Sequence, residues 1–85
     1  MKEFSYIITD RDGIHARPAG LLANMATGVK SNVTIAKGEK EANAKRIFAI
    51  MGLSVKCNDK ITVTCTGPDE TIAVKQIEDF VKNNL

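Results

Sequence analysis

The chain has 85 residues, 44% apolar and 26% charged, and twelve basic against ten acidic side chains leave a formal net charge of +2. Surface scaling gives roughly 4,900 Å² exposed when folded against about 13,300 Å² unfolded, which supports one modest core and one domain over residues 1–85. This composition excludes a disordered chain, a collagen-like chain and a coiled coil, and the interspersed charges exclude a nucleic-acid arm or a polybasic membrane anchor. A weak basic bias still suits docking onto acidic proteins.

Phe4, Tyr6 and Ile8 alternate with Ser5 and Ile7, the pattern of a half-buried strand. Asp10-Arg11-Asp12-Gly13 is turn chemistry. Ala19, Leu22, Ala23, Ala26 and Val29 then recur at helical spacing, so a helix is predicted from Ala16 to Thr27 or Val29, with Gly28 at its end. Asn32 to Lys37 alternates again. Gly38-Glu39 suits a two-residue hairpin whose first position needs positive φ, and Lys40 to Asn43 is the short, polar returning strand at a sheet edge.

Ile47 to Leu53 reads as a short helix starting near Asn43 or Ala44, with Arg46 in its first turn. Cys57-Asn58-Asp59 is a turn. Ile61, Val63 and Cys65 alternate with Thr62, Thr64 and Thr66, the clearest strand of the chain. Gly67-Pro68-Asp69-Glu70 opens a last helix, with Pro68 in the first turn and two acidic residues at the positive end. Ala73, Ile77, Phe80 and Val81 form its apolar stripe. The resulting order, βαββαβα, does not alternate as a doubly wound fold does. It predicts an α+β fold, an antiparallel sheet of four half-buried strands with helices on one face.

Cys57 and Cys65 form neither a C-x-x-C pair nor a disulfide framework, and a single histidine cannot complete a zinc set. Reduced thiols, no metal and no cofactor are the expectation, with Cys65 in the core. Met1-Lys2-Glu3-Phe4 carries no apolar signal stretch, and the longest apolar run, Ile47 to Leu53, falls short of the roughly 20 residues that span a bilayer. The chain reads as soluble and cytoplasmic, without membrane insertion.

His15 is the only histidine, and it stands between the Gly-containing turn and the helix start. With Ala16 as the first helical residue, His15 is the N-cap and the amides of Ala16 and Arg17 have no intrahelical partner. Pro18 lacks an amide that would go unpaired anyway. Such a helix end binds anions, and its dipole disfavours positive charge on the imidazole. A neutral ring keeps a lone pair and acts as a nucleophile, while the Arg17 guanidinium pairs with phosphoryl oxygens. Nothing orients the ring and no Ser or Cys partners it, so a catalytic triad is excluded. Phosphoryl transfer needs none, because it rests on positioning and electrostatics. The plainer alternative is a histidine that caps or merely decorates the surface.

The second feature is surplus apolar surface. Leu21 falls almost opposite the core stripe of the first helix. Ile47, Phe48, Ile50 and Met51 make the second helix apolar on more than one side, although a short helix on a small domain buries only one. Either Phe48 and Met51 complete the core, or some of these residues form an exposed docking patch near the histidine. Arg46 is either a solvated surface cation or a contact for an acidic partner.

The segment Gly13-Ile14-His15-Ala16-Arg17-Pro18-Ala19 resembles in full the phosphorylation-site signature of the HPr family, the histidine-containing phosphocarriers of the bacterial phosphoenolpyruvate-dependent sugar phosphotransferase system. Length, element order, the Lys45 to Leu53 helix region and an acidic-start closing helix extend the resemblance to the whole chain. It implies an open-faced β-sandwich, a four-stranded antiparallel sheet with three helices on one side. It implies a carrier with a covalent phosphohistidine intermediate rather than an enzyme. His15 would accept a phosphoryl group on Nδ1 from enzyme I and pass it to a histidine of a sugar-specific enzyme IIA. Arg17 would position the group, the amides of Ala16 and Arg17 would bind it, and Leu21, Ile47, Phe48 and Met51 would dock both partners of a monomeric carrier.

Three departures from the family stand out. Arg46 occupies the position of the regulatory serine of Gram-positive members, so that regulation does not carry over. Asp12 stands where the family has Ser or Asn, and its carboxylate must point away from a phosphoryl dianion or pair with Arg11 or Arg17. Gly52-Leu53-Ser54 also differs from the usual Leu-Gly, which places the end of the second helix elsewhere. Arg46 and Asp12 motivate a second reading, an HPr-like regulatory module that binds partners without efficient phosphate relay. A small RNA-binding α/β domain is a third, but the chain has no G-x-x-G loop and no aromatic stacking platform.

Overall fold

In the computed structural model, which describes residues 1–85, the alternating segments pair into one sheet. The elements are β1 (Lys2–Ile7), α1 (Ala16–Thr27), β2 (Asn32–Lys37), β3 (Lys40–Asn43), α2 (Ile47–Met51), β4 (Lys60–Thr66) and α3 (Glu70–Asn84). The strand order is β1-β4-β2-β3, antiparallel at every pair. The polar hairpin strand β3 is an edge, as its sequence predicts, and β1 is the other.

Register explains the single buried face. Phe4 pairs with Val63, Val63 with Ile35 and Ile35 with Ala42, a row across all four strands that is buried throughout. The next row, Ser5, Thr62, Ala36 and Glu41, points the other way and stays at least partly exposed. There the Ser5 and Thr62 hydroxyls meet at 3.1 Å. A shift of one residue would exchange the two rows, so burial of the apolar row fixes the pairing. The helices cover the apolar face with Leu22 and Ala26 from α1, Ile50 from α2, and Ala73, Ile77 and Val81 from α3. One cluster joins all 22 buried apolar residues, so sheet and helices share a single core. The accessible surface, 5093 Å², agrees with the scaling estimate.

Three local details differ from the sequence reading. The second helix is five residues long and ends at Met51, not Leu53. Its last amide bond runs from Gly52 to Phe48 O, a tighter turn runs from Leu53 to Ile50 O, and Ser54 leaves with φ +54°. Leu53 is therefore buried from a turn. Arg46 flanks the helix rather than lying in its first turn, and Asn43 receives the amides of Lys45 (on Oδ1) and Arg46 (on its carbonyl). Pro68 precedes the N-cap Asp69 of α3, so it lies outside the first turn. The Asp69 carboxylate does not cap α3. It accepts the amides of Lys30 and Ser31 and the Ser31 hydroxyl, tying the start of α3 to the turn before β2. Those donors, the hydroxyl first, hold its carboxyl below the usual carboxylate range. Cys65 is fully buried, which pushes its thiol up. No helix is long and apolar enough to cross a membrane.

Candidate functional site

The loop between β1 and α1 is fixed at both ends by buried residues. Ile8 exchanges backbone bonds with the Asn58–Asp59 turn, donating to Asp59 O at 2.9 Å and accepting from Asn58 N at 2.8 Å. Ile14 donates to Val55 O at 3.1 Å, and both isoleucine side chains are buried. Between them Gly13 takes φ +64°, and a Cβ there would lie 2.2 Å from Val55 O. Glycine is thus required twice over, by dihedral and by space.

His15 follows as the N-cap of α1, in extended backbone conformation. Its carbonyl accepts the Ala19 amide at 3.0 Å, the first bond of the helix. Its side chain makes no cap hydrogen bond, so the first-turn amides of Ala16 and Arg17 keep no partner inside the helix, as Pro18 requires none. The imidazole is exposed and borders a shallow cleft of about 230 Å³ with Asp10, Arg17, Pro18, Leu21, Asn83 and Asn84. Arg17 and Leu21 also line an adjoining groove between α1 and α2, with Ala16, Lys45 and Ile47. The site brings together His15, Ala16, Arg17, Leu21 and Ile47. Phe48 and Met51 line neither hollow but stand on α2, Phe48 with 83% of its surface exposed and Met51 with 38%. Ile50, the fourth apolar residue of that helix, is fully buried. The surplus apolar surface is thus real, and Phe48 does not complete the core.

The sequence offers no partner for the ring, and the structure places a carboxylate near it. Asp10 Oδ2 lies 3.8 Å from His15 Nε2. Sequence reasoning placed Asp10 only in a turn. The backbone that carries it is tied to Leu85, distant in sequence, whose O accepts the Thr9 amide at 2.6 Å, the Asp10 amide at 2.8 Å and the Thr9 hydroxyl at 3.0 Å. Asp12 also departs from expectation. It neither turns away nor pairs with Arg11 or Arg17. Carboxylate oxygens of Asp10 and Asp12 and a His15 ring nitrogen lie within 4.8 Å of one another. Chemically the arrangement offers an exposed nucleophilic ring, a helix end with free amides, one guanidinium and two carboxylates.

Comparison with known proteins places this geometry. A family model described as the PTS HPr component phosphorylation site matches residues 2–83. The phosphocarrier protein HPr of Mycoplasma capricolum is 42% identical over 78 residues, which cover 92% of this chain and 88% of that protein. The HPr of Mycoplasma genitalium is 40% identical over 85 residues, covering 99% of this chain and 97% of that one. Among solved structures, a histidine-containing phosphocarrier protein, described as evidence for the divergence of mycoplasma from Gram-positive bacteria, superposes with a TM-score of 0.94. It has 39% identity, and the match covers 96% of this chain and 93% of that one. The fold agrees with that likeness, and the chain belongs to the HPr family of phosphotransferase-system phosphocarriers.

Proposed function

We propose that His15 accepts a phosphoryl group from phosphorylated enzyme I, whose own donor is phosphoenolpyruvate, and passes it to a histidine of a sugar-specific enzyme IIA. The observation that carries this reading is the exposed His15 ring at an uncapped helix start with Arg17 in the same cleft. The ring nitrogen attacks phosphorus, the amides of Ala16 and Arg17 face the incoming charge, and the Arg17 guanidinium neutralises phosphoryl oxygens. Nδ1 is the acceptor in this scheme, and the protein acts as a monomer. Donor and acceptor proteins both reach the same ring, so both cover the same apolar residues, Leu21, Ile47, Phe48 and Met51. Arg17 borders both the cleft and the groove, which supports a site continuous with its docking surface.

A second reading, a regulatory binding module that relays phosphate poorly, draws on Asp10 and Asp12 beside the ring, since carboxylates repel a phosphoryl dianion. One reconstitution decides between them. Incubation with phosphoenolpyruvate and enzyme I is expected to add a single, acid-labile phosphoryl group, absent in His15→Ala. Enzyme IIA is then expected to discharge it rapidly. A wild-type protein that stays unmodified, or a His15→Ala variant that is modified, removes the carrier reading. A phosphorylated protein that enzyme IIA cannot discharge favours the module.

A further inference from the structure

We propose that Asp10 is a positioning residue for the phosphoryl acceptor: its carboxylate selects the His15 tautomer protonated on Nε2, which leaves Nδ1 as the nucleophile. The inference rests on the reading of His15 as the acceptor and concerns which of its two nitrogens reacts.

Three of the four polar atoms of Asp10 are committed. Its amide donates to Leu85 O at 2.8 Å and its carbonyl accepts the Gly13 amide at 2.9 Å. Oδ1 accepts the Asp12 amide at 2.9 Å, a turn closed within the loop. Only Oδ2 is left, and it stands 3.8 Å from His15 Nε2. The loop therefore fixes the carboxylate before any ligand arrives. Its side chain is the more buried of the two, 28% exposed against 44% for the ring, so the ring moves relative to the carboxylate and not the reverse. No lysine or arginine forms an ion pair with Asp10, so its charge is not already spent on a cation.

A neutral imidazole carries one N–H and one lone pair, whereas an ionised carboxylate only accepts. The tautomer with Nε2–H places a donor toward Oδ2. The other tautomer places a lone pair there, against a negative charge. At 3.8 Å the contact is longer than a hydrogen bond, and the preference is electrostatic. Catalytic contacts of this kind shorten when substrate binds. In the transfer, the Nδ1 lone pair forms the N–P bond while the bond from phosphorus to its donor breaks and that electron pair leaves with the donor. The Nε2 proton stays in place, the ring becomes cationic, and Asp10 faces that cation. In onward transfer the N–P pair returns to Nδ1 and the ring is neutral again. No proton has to leave in either step.

The test uses the full chain labelled with ¹⁵N, at a pH where the ring is neutral, and needs no partner protein. Asp10→Asn keeps an oxygen for the Asp12 amide and puts an N–H donor where Oδ2 stood, which should reverse the tautomer. Ring ¹⁵N shifts are expected to report Nε2–H in the wild type and Nδ1–H as the major form in Asp10→Asn. Phosphoramidate, a small donor whose leaving group is ammonia, should then label chiefly Nδ1 in the wild type and shift labelling toward Nε2 in the variant, read by ³¹P NMR. Asp10→Ala, which only removes the carboxylate, should give a mixture, and backbone amide spectra identify any variant that fails to fold. The same tautomer and the same phosphoryl isomer in wild type and in either folded variant would overturn the proposal, as would a wild-type ring already divided between tautomers. Asp12→Asn, which neutralises the second carboxylate within 4.8 Å, should move both readouts less than Asp10→Asn does, and an equal response there would take the role away from Asp10. Failure of enzyme I to label the wild type would instead remove the acceptor reading and leave the tautomer result standing.

Discussion

Replacing Phe48 by Asp separates docking from folding. Phe48 is 83% exposed, and it is the second residue of α2, after the flanking Arg46 and Ile47. An acidic side chain in a first helical turn is favoured by the dipole, and a change at an exposed site without partners typically costs no more than about 0.5 kcal/mol. Folding should therefore be almost untouched. Binding should not be. Taking about 150 Å² for the aromatic side chain, a partner that covers the ring removes about 120 Å² from water, worth about 3 kcal/mol at about 25 cal/mol per Å². Ordering the side chain returns about 1 kcal/mol of that, which leaves about 2 kcal/mol, or about 30-fold in Kd. The carboxylate of the variant adds a desolvation penalty in the same direction. Calorimetric titration with enzyme I and urea unfolding measure the two effects on one sample. Ile72→Asp is the control: Ile72 is also exposed, but it lies eleven residues before Asn83, about 16 Å along α3 from the cleft, and should leave affinity unchanged. If Phe48→Asp binds enzyme I as the wild type does, or if Ile72→Asp weakens binding equally, the docking argument is wrong. A collapsed urea midpoint would show that Phe48 holds the fold.

Two further perturbations test the frame around the site. Gly13→Ala places a Cβ 2.2 Å from Val55 O and 2.7 Å from Lys56 Cα. Both obstacles are backbone, so the loss should exceed the about 1–2 kcal/mol of left-handed strain alone, and an unchanged urea midpoint would contradict the fold at this turn. Asp69 titrates below its ordinary value of 3.8 in the folded chain because of the Ser31 hydroxyl and the Lys30 and Ser31 amides. A carboxyl lowered on folding stabilises fully above its unfolded value, and that contribution disappears as pH falls through the lower folded value. Urea midpoints of Asp69→Asn should therefore fall less steeply than wild type below about pH 4, with the remaining slope supplied by Asp59 (paired with Lys37) and Glu70. Parallel acid limbs would mean that Asp69 is not the clamp.

What the sequence made legible is what short range determines. The strands Asn32–Lys37 and Lys40–Asn43 follow from alternation and from the positive φ that Gly38 adopts at +61°. The start of α1 follows from Pro18 and the turn before it. Exposure at Phe48 follows from counting apolar residues around a helix too short to bury them. The departures lie where a local break or a distant contact decides. Leu53 looks helical from its neighbours, yet it reaches the core from a turn because Ser54 breaks the helix at φ +54°. Pro68 looks like a first-turn residue, yet Asp69 is drawn to Ser31, 38 positions earlier, and α3 starts after it. Asp10 is the costliest omission. Its amide is held by Leu85 O, a contact no local pattern announces, while its carboxylate is turned by the Asp12 amide close by.

The same contacts explain how an exposed ring can still be well placed. In the proposed relay two proteins must reach the ring, so it cannot be buried, and exposed loops are usually mobile. Here backbone bonds from Ile8 to the Asn58–Asp59 turn, from Thr9 and Asp10 to Leu85, from Gly13 to Asp10 and from Ile14 to Val55 hold the loop at five positions. Buried side chains at Ile8 and Ile14 close its two ends. Neither partner then has to order the loop on docking, so that entropy does not weaken either complex. In the proposed relay each transfer would need the attacking nitrogen, phosphorus and leaving nitrogen in line, and a fixed frame leaves only the ring torsions to be set. The frame's hydrogen bonds lie outside the seven-residue signature at Leu85, Val55 and the Asn58–Asp59 turn, so the chemistry of the motif is held by residues that carry none of it.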